Sequence, residues 1–307
     1  MTGETVFEEE CPIKRRSPDM KRKIVILLLA GLASLLTACT GESRQEEQAA
    51  EETQAEGLTQ EPGSEDMVTE GTEEYRGFIL DNVLHSETEG DIHYNLYVPE
   101  SYDGSKPVAL FFTLPGYEGL YFQGVGENLY SENFGFTAQQ YDPDMIIVAP
   151  QLSDWGETSA DQTIALAEYF LSNYNIDPDS VYAEGYSGGG ETMSLVMGKR
   201  PELFAAYLQC SSKWDGDYEA TVKSRTPVYF VIGESDEYYG SEPSREAYEN
   251  LHERYEQEGL SEDEIDELLV LDIKDAEYFE SQGMSNQHGG GNLFAEDEEI
   301  MGWLFEH

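Results

Sequence analysis

Positive charge is scarce in this chain: 17 Lys and Arg stand against 63 Asp and Glu, a formal net charge of −46 over 307 residues. Nucleic-acid binding needs basic clusters that neutralise phosphates and release counterions, and residues 76–307 contain none, so that class of partner is excluded. The same field disfavours phosphorylated and strongly acidic substrates. Cysteine is nearly as sparse, with three in the chain. Only Cys210 falls within residues 75–307, which excludes a disulfide inside that region and any Cys-based metal site. Lying in the apolar stretch 205–210, it reads as a small buried hydrophobe. The longest apolar run, residues 24–36, falls short of the roughly 20 residues that a membrane-spanning helix needs.

That run nevertheless has a pattern. Lys21-Arg22-Lys23 precedes it and Leu36-Thr37-Ala38-Cys39 closes it, the layout of an export signal rather than of a folded segment. It resembles a bacterial lipoprotein signal over residues 20–39. The resemblance implies that Cys39 is lipidated and that the mature chain is anchored on the extracellular face of the cell membrane. Met20 is then the natural start, and residues 1–19 are an upstream extension or a mis-called start. Residues 40–74 hold twelve acidic side chains against Arg44 alone and no aromatic residue, so they are expected to form a disordered, self-repelling tether. One domain, residues 75–307, remains to carry the function.

Within that domain the run Gly185-Tyr186-Ser187-Gly188-Gly189-Gly190 stands between a strand-like segment and a helix-like one. It reads as a nucleophile elbow, a sharp strand-to-helix turn that exposes one Ser hydroxyl, with glycines where a Cβ would strike neighbouring backbone. A phosphate-cradling loop would end in Lys-Ser or Lys-Thr, and this one does not. Strands are expected at 78–84, 92–98, 108–114, 145–149, 181–184, 205–210, 228–232 and 269–273. The clearest helical patterns are 161–174, 191–199, 244–258 and 295–305. Two alternating strands followed by β-α alternation predict an α/β fold: a mostly parallel central sheet with antiparallel N-terminal strands and helices on both faces. About sixteen residues, 211–226, join two of the later strands, which leaves no room for a large cap domain.

The elbow, the order Ser, acid, His and the loop after the strand at 108–114 resemble the α/β-hydrolase superfamily. The likeness is closest to a bacterial esterase branch that includes feruloyl-esterase-like and polyhydroxybutyrate-depolymerase-like enzymes, and it covers the chain from about residue 78 onward. It implies a serine nucleophile at Ser187 and calls for no cofactor or metal. A hydroxyl of ordinary pKa needs a general base, and His288, in the loop Ser285-Asn286-Gln287-His288-Gly289-Gly290-Gly291, stands where the superfamily keeps its base. Asp236 matches the Gly-x-x-Asp that often follows the preceding strand, with Glu234 and Glu237 as neighbouring rivals. Backbone donors for the oxyanion are expected at Gly188 and at either Gly116 or Tyr117. In that second loop this chain has Pro115-Gly116 where relatives often have His-Gly.

Trp155 and Trp214 lie on loops after strands, where they are expected either to stack on a sugar or phenolic group or to pack the core edge. Tyr186 is a further candidate for substrate contact. The function expected is a serine esterase cleaving carboxylic esters through an acyl-enzyme, with small-molecule or carbohydrate-linked acyl and feruloyl esters as candidate substrates. The alternatives are a serine peptidase of the same fold and a non-catalytic surface binding lipoprotein.

Overall fold

The computed structural model describes residues 67–307, so the upstream extension, the signal segment with Cys39 and tether residues 40–66 lie outside the described residues. Ten strands form one sheet: β1 (Met67–Thr69), β2 (Glu73–Tyr75), β3 (Phe78–Ser86), β4 (Gly90–Tyr97), β5 (Val108–Leu114), β6 (Ile146–Pro150), β7 (Ile176–Tyr186), β8 (Ala206–Cys210), β9 (Val228–Gly233) and β10 (Leu269–Lys274). Their spatial order is β1-β3-β4-β6-β5-β7-β8-β9-β10, and β2 pairs with β3. Pairing is antiparallel from β1 through β4 to β6 and parallel from β6 across to β10. All eight expected strands are present, and the sheet changes direction where the alternating pattern gives way to wholly apolar runs.

The physical reason lies in the burial. Strands β6, β8 and β9 are buried along their whole length, as parallel strands covered on both faces must be. In β3 the inward side chains Phe78, Leu80 and Leu84 alternate with more exposed ones. Strands β1 and β2 shorten the disordered tether expected over residues 40–74, because residues 67–69 and 73–75 are strand. Each is three residues long, pairs with β3 along its backbone and packs a single half-buried side chain, Val68 or Tyr75, on the core, too short a pattern to stand out in an acidic segment.

Helices α1 (Glu127–Ser131), α2 (Phe134–Tyr141), α3 (Glu157–Asn173), α4 (Gly188–Lys199), α5 (Tyr218–Ser224), α6 (Glu242–Gln257), α7 (Glu262–Asp266), α8 (Ala276–Glu280), α9 (Gly291–Glu296) and α10 (Glu298–Phe305) surround the sheet. On one face Phe170, Met193, Met197 and Leu251, from α3, α4 and α6, pack with Leu110, Phe112, Val148 and Phe230. On the other, Phe134, Phe294, Met301 and Leu304, from α2, α9 and α10, pack with Phe111, Ile147, Leu208 and Val231. The helix expected at 295–305 is two helices, because the Asp297 side chain accepts the N–H groups of Glu299 and Ile300 and restarts the chain as a cap. Among the described residues no helix is long and apolar enough to cross a membrane. The connection from Cys210 to Val228 carries only the seven-residue α5, so the sheet's C-terminal edge stays uncovered there.

Candidate active site

Strand β7 ends at Tyr186 and α4 begins at Gly188, leaving Ser187 alone at the corner with φ 53 and ψ −120. A side chain beyond glycine is strained there, and the surroundings must hold it. They do so from both sides of the residue: Ser187 N–H donates to the Cys210 carbonyl at 2.9 Å, and Ser212 Oγ donates to the Ser187 carbonyl at 2.6 Å. The turn is tight enough that a Cβ on Gly185 would lie 2.6 Å from the Gly189 carbonyl oxygen. One on Gly189 would lie 2.1 Å from that of Leu114.

The loop after β10 carries His288 back to this corner. Ser187 Oγ and His288 Nε2 are 3.0 Å apart, and His288 Nδ1 lies 2.8 Å from Asp236 Oδ2. With Nδ1–H donating to the carboxylate, Nε2 is left as the acceptor facing the serine. Asp236 is itself held by its turn: Oδ1 accepts the N–H groups of Tyr238 and Tyr239 at 2.9 and 2.8 Å. The rivals do other things. Glu237 Oε2 accepts the backbone N–H groups of Gln287 and His288 at 2.8 and 2.9 Å, tying the histidine loop to the acid's turn, while Glu234 is exposed. The other four histidines stand elsewhere: His85 pairs with Asp91, His93 with Asp81, His252 with Glu262, and His307 bonds the Trp303 carbonyl.

Around this row opens a cleft of about 610 Å³, lined by Tyr117, Glu118, Ser131, Glu132, Trp155, Tyr186, Ser187, Gly188, Tyr238, Tyr239, Asn286, His288, Gly289, Gly291 and Asn292. Gly188 N–H is the first of α4, at the positive end of the helix. Gly116 stands so close that a Cβ on it would lie 3.3 Å from Ser187 Cβ. Its N–H, however, donates to Glu132 Oε1 at 2.9 Å, which removes Gly116 as an oxyanion donor and leaves the following N–H, of Tyr117. The sequence could not separate the two, because the acceptor comes from a helix end sixteen residues away.

The aromatic candidates divide. Trp155 lines the cleft, and its ring lies 2.9 Å from where a Gly188 Cβ would stand. Tyr117, half exposed at 50%, and Phe122, at 61%, continue from it, with ring centroids 6.0 Å (Tyr117–Trp155) and 5.5 Å (Tyr117–Phe122) apart. Trp214 is a core residue, not a substrate contact: it is 8% exposed, stacks on Tyr218 and packs beside Tyr207 and Phe230. Its loop turns inward because the indole Nε1–H is satisfied by the Gly216 carbonyl at 3.0 Å. Tyr186 borders the cleft but serves the histidine first, donating its hydroxyl to the His288 carbonyl and stacking on the imidazole.

Sequence reasoning passed over Tyr239, whose hydroxyl donates to Glu191, and Glu132; no motif marks either. Burial pushes the Glu132 carboxyl up to about 8, against the lowering effect of the Gly116 bond and with Glu118 adding to the rise. Fully buried Glu184, beside the elbow on β7, is pushed up by the same desolvation and by Glu132, although Thr113 Oγ1 donates to it at 2.9 Å. Burial likewise raises the Cys210 thiol, the inert small residue expected. Among the described residues no group of three or more His, Cys, Asp or Glu is arranged to hold a metal ion.

A nucleophile, base and acid in one hydrogen-bonded row beside two backbone donors is the arrangement of a serine hydrolase, on an α/β-hydrolase fold. Residues 152–263 match the prolyl oligopeptidase family (Peptidase_S9), a span that includes Ser187 and Asp236 and stops before His288. No curated protein matches the sequence. Among solved structures the chain is similar to a thermostable esterase, at 23% identity and TM-score 0.61 over 75% of this chain and 63% of that one. It thus spans less than two thirds of that protein. It is also similar to an S-formylglutathione hydrolase from Staphylococcus aureus (12% identity, TM-score 0.53, 78% of this chain and 97% of that one). A fluorophosphonate-binding serine hydrolase from the same organism matches at 13% identity and TM-score 0.51, over 74% and 98% of the two chains. At these identities the likeness is one of fold.

Proposed function

We propose that the protein is a serine esterase that cleaves carboxylic esters through an acyl-enzyme. The observation that carries this reading is the row Ser187, His288, Asp236, at 3.0 and 2.8 Å, in a cleft open to solvent. Ser187 Oγ attacks the ester carbonyl while His288 Nε2 takes its proton, and Asp236 stabilises the imidazolium so formed. The oxyanion of the tetrahedral intermediate is held by the N–H groups of Gly188 and Tyr117. The intermediate collapses, the alkoxide leaves with the proton from His288, and water activated by the same imidazole hydrolyses the acyl-enzyme. The short connection over β8 and β9 suits a bulky alcohol or acyl group, and Trp155, Tyr117 and Phe122 offer rings for a sugar or phenolic ring to stack on. Carbohydrate-linked acyl and feruloyl esters are the substrate classes that fit. With Cys39 lipidated, the enzyme works at the extracellular face of the membrane.

The match of residues 152–263 to the prolyl oligopeptidase family favours a second reading, a serine peptidase. One substrate panel separates the two. The full chain is expected to hydrolyse short p-nitrophenyl esters and feruloylated or acetylated oligosaccharides in preference to peptide amides, and Ser187→Ala to lose at least about 10⁴-fold in kcat with an unchanged circular dichroism spectrum. Turnover surviving in that variant, or peptide amides outrunning every ester, overturns the reading. In cells, Cys39→Ser is expected to move the activity out of the membrane fraction; activity that stays there refutes the anchor.

A further inference from the structure

One buried carboxyl at the cleft takes no part in the acyl-transfer steps. Glu132 is 7% exposed and sits between α1 and α2 with its Oε1 on the Gly116 N–H. The residues on either side of it are clamped: Asn292 Nδ2 donates to the Ser131 carbonyl at 3.0 Å, and Asn292 Oδ1 accepts the Asn133 N–H at 2.8 Å. Asn292 belongs to α9, four residues past His288. The segment 131–133 is therefore fastened to the histidine-bearing region on one side and, through Glu132, to the oxyanion loop on the other.

An N–H facing a buried acceptor has little freedom of direction, and the next peptide plane, which carries the Gly116 carbonyl and the Tyr117 N–H, is held from its other side by the Gly119 N–H donating to that carbonyl at 3.1 Å, so Gly116 is fixed at both ends. We propose that Glu132 is a positioning residue, which holds the Gly116 N–H so that the Tyr117 N–H is aimed at the oxyanion. The proposal rests on the oxyanion hole of the esterase reading. It also accounts for a buried carboxyl, which is kept in a fold only when it has a partner.

The groups that face Glu132 make its charge matter. Glu118 comes from the oxyanion loop, Glu184 and Tyr186 from β7 and Cys210 from β8, with His288 across the cleft. With its carboxyl pushed up to about 8, Glu132 is mainly protonated at pH 7 and offers Gly116 a neutral oxygen. Above that pH it places a negative charge on the loop that must receive the developing oxyanion, which works against the transition state.

The test compares Glu132→Gln, which keeps a neutral acceptor, with Glu132→Ala, which has none. Two rates are read in the full chain: phosphonylation of Ser187 by a fluorophosphonate probe, and p-nitrophenyl ester turnover. Glu132→Ala is expected to slow both by about 10- to 100-fold with KM within about twofold, the effect of a misdirected donor. Glu132→Gln is expected to stay within about threefold at pH 7 and to lose the alkaline decline, centred near pH 8, of the unmodified protein. Phosphonylation of Glu132→Ala at the unmodified rate overturns the proposal. If that variant does not fold, a Glu132→Gln profile that keeps the alkaline decline overturns it instead. Ser187 that is labelled while no ester is hydrolysed sinks the esterase reading alone, and the labelling rates still decide the role of Glu132.

Discussion

At the scale of single residues, the site depends on which carboxylate reaches the histidine. Three acidic side chains follow β9 within four residues, and only the turn decides among them. Asp236 folds back to cap its own turn through Oδ1, as a short side chain with an Asx geometry does, and this aims Oδ2 at His288 Nδ1. Glu237, one methylene longer and on the next residue, reaches the backbone of the histidine loop instead. Asp236→Asn should therefore leave the fold intact but present the wrong hydrogen-bonding partner to Nδ1, so that the imidazole turns its protonated nitrogen toward Ser187. A fall in kcat of about 10⁴-fold is expected, measured on p-nitrophenyl esters; a fall of less than about tenfold would mean that another carboxylate serves. Ser187 and His288 were legible in the sequence because glycine-rich surroundings single them out. Gly116 against Tyr117, and Trp155 against Trp214, were not, because each choice turns on a partner distant in sequence.

At the scale of elements, the elbow is a strand, a corner and a helix forced into contact. Its glycines differ in what they answer to: Gly185 and Gly189 face backbone oxygens, which have no rotamer to yield, whereas Gly188 faces the Trp155 ring. Gly189→Ala is accordingly expected to destabilise the protein by about 3 kcal/mol or more in urea unfolding, since the Leu114 strand must shift to admit the methyl group. A loss below about 1 kcal/mol would show that the corner is looser than its distances. The eight core strands were readable from their apolar runs and the long helices from their period. The short helices α1 and α2 were not, having too few turns for a period to emerge, yet α1 delivers Glu132 to the oxyanion loop. The edge strands β1 and β2 were hidden in an acidic segment for a related reason, since their stability comes from the neighbour they pair with.

For the molecule as a whole, buried carboxyls couple folding to pH. Glu132 ionises near its ordinary 4.5 when exposed in the unfolded chain and at about 8 in the folded one, where burial disfavours its charge; Glu184 is shifted the same way. Between these values folded Glu132 holds a proton that the unfolded chain has released, so its contribution to stability falls as pH rises from about 4.5 to about 8 and then levels off, and Glu184 acts in the same direction. Each such group contributes a slope of at most about 1.4 kcal/mol per pH unit. Urea midpoints measured from pH 5 to 8 should show this decline, and Glu132→Gln should flatten it; a variant that unfolds with the same pH dependence would refute the account.

The sequence by itself determined the α/β architecture and singled out the serine and the histidine that the fold brings together, because apolar period and a glycine-bounded serine are local patterns with steric causes. It also carried the acidic charge balance behind the expectation that nucleic acid is not a partner. Only the tertiary structure decided which carboxylate completes the row, which backbone N–H is left for the oxyanion, and which tryptophan meets the cleft. Those choices belong to contacts between residues far apart in the chain: Gly116 with Glu132, Asp236 with His288, Trp155 with Gly188. Burial of a carboxyl, and with it the raised pKa of Glu132, exists only once the sheet and its helices have closed around it.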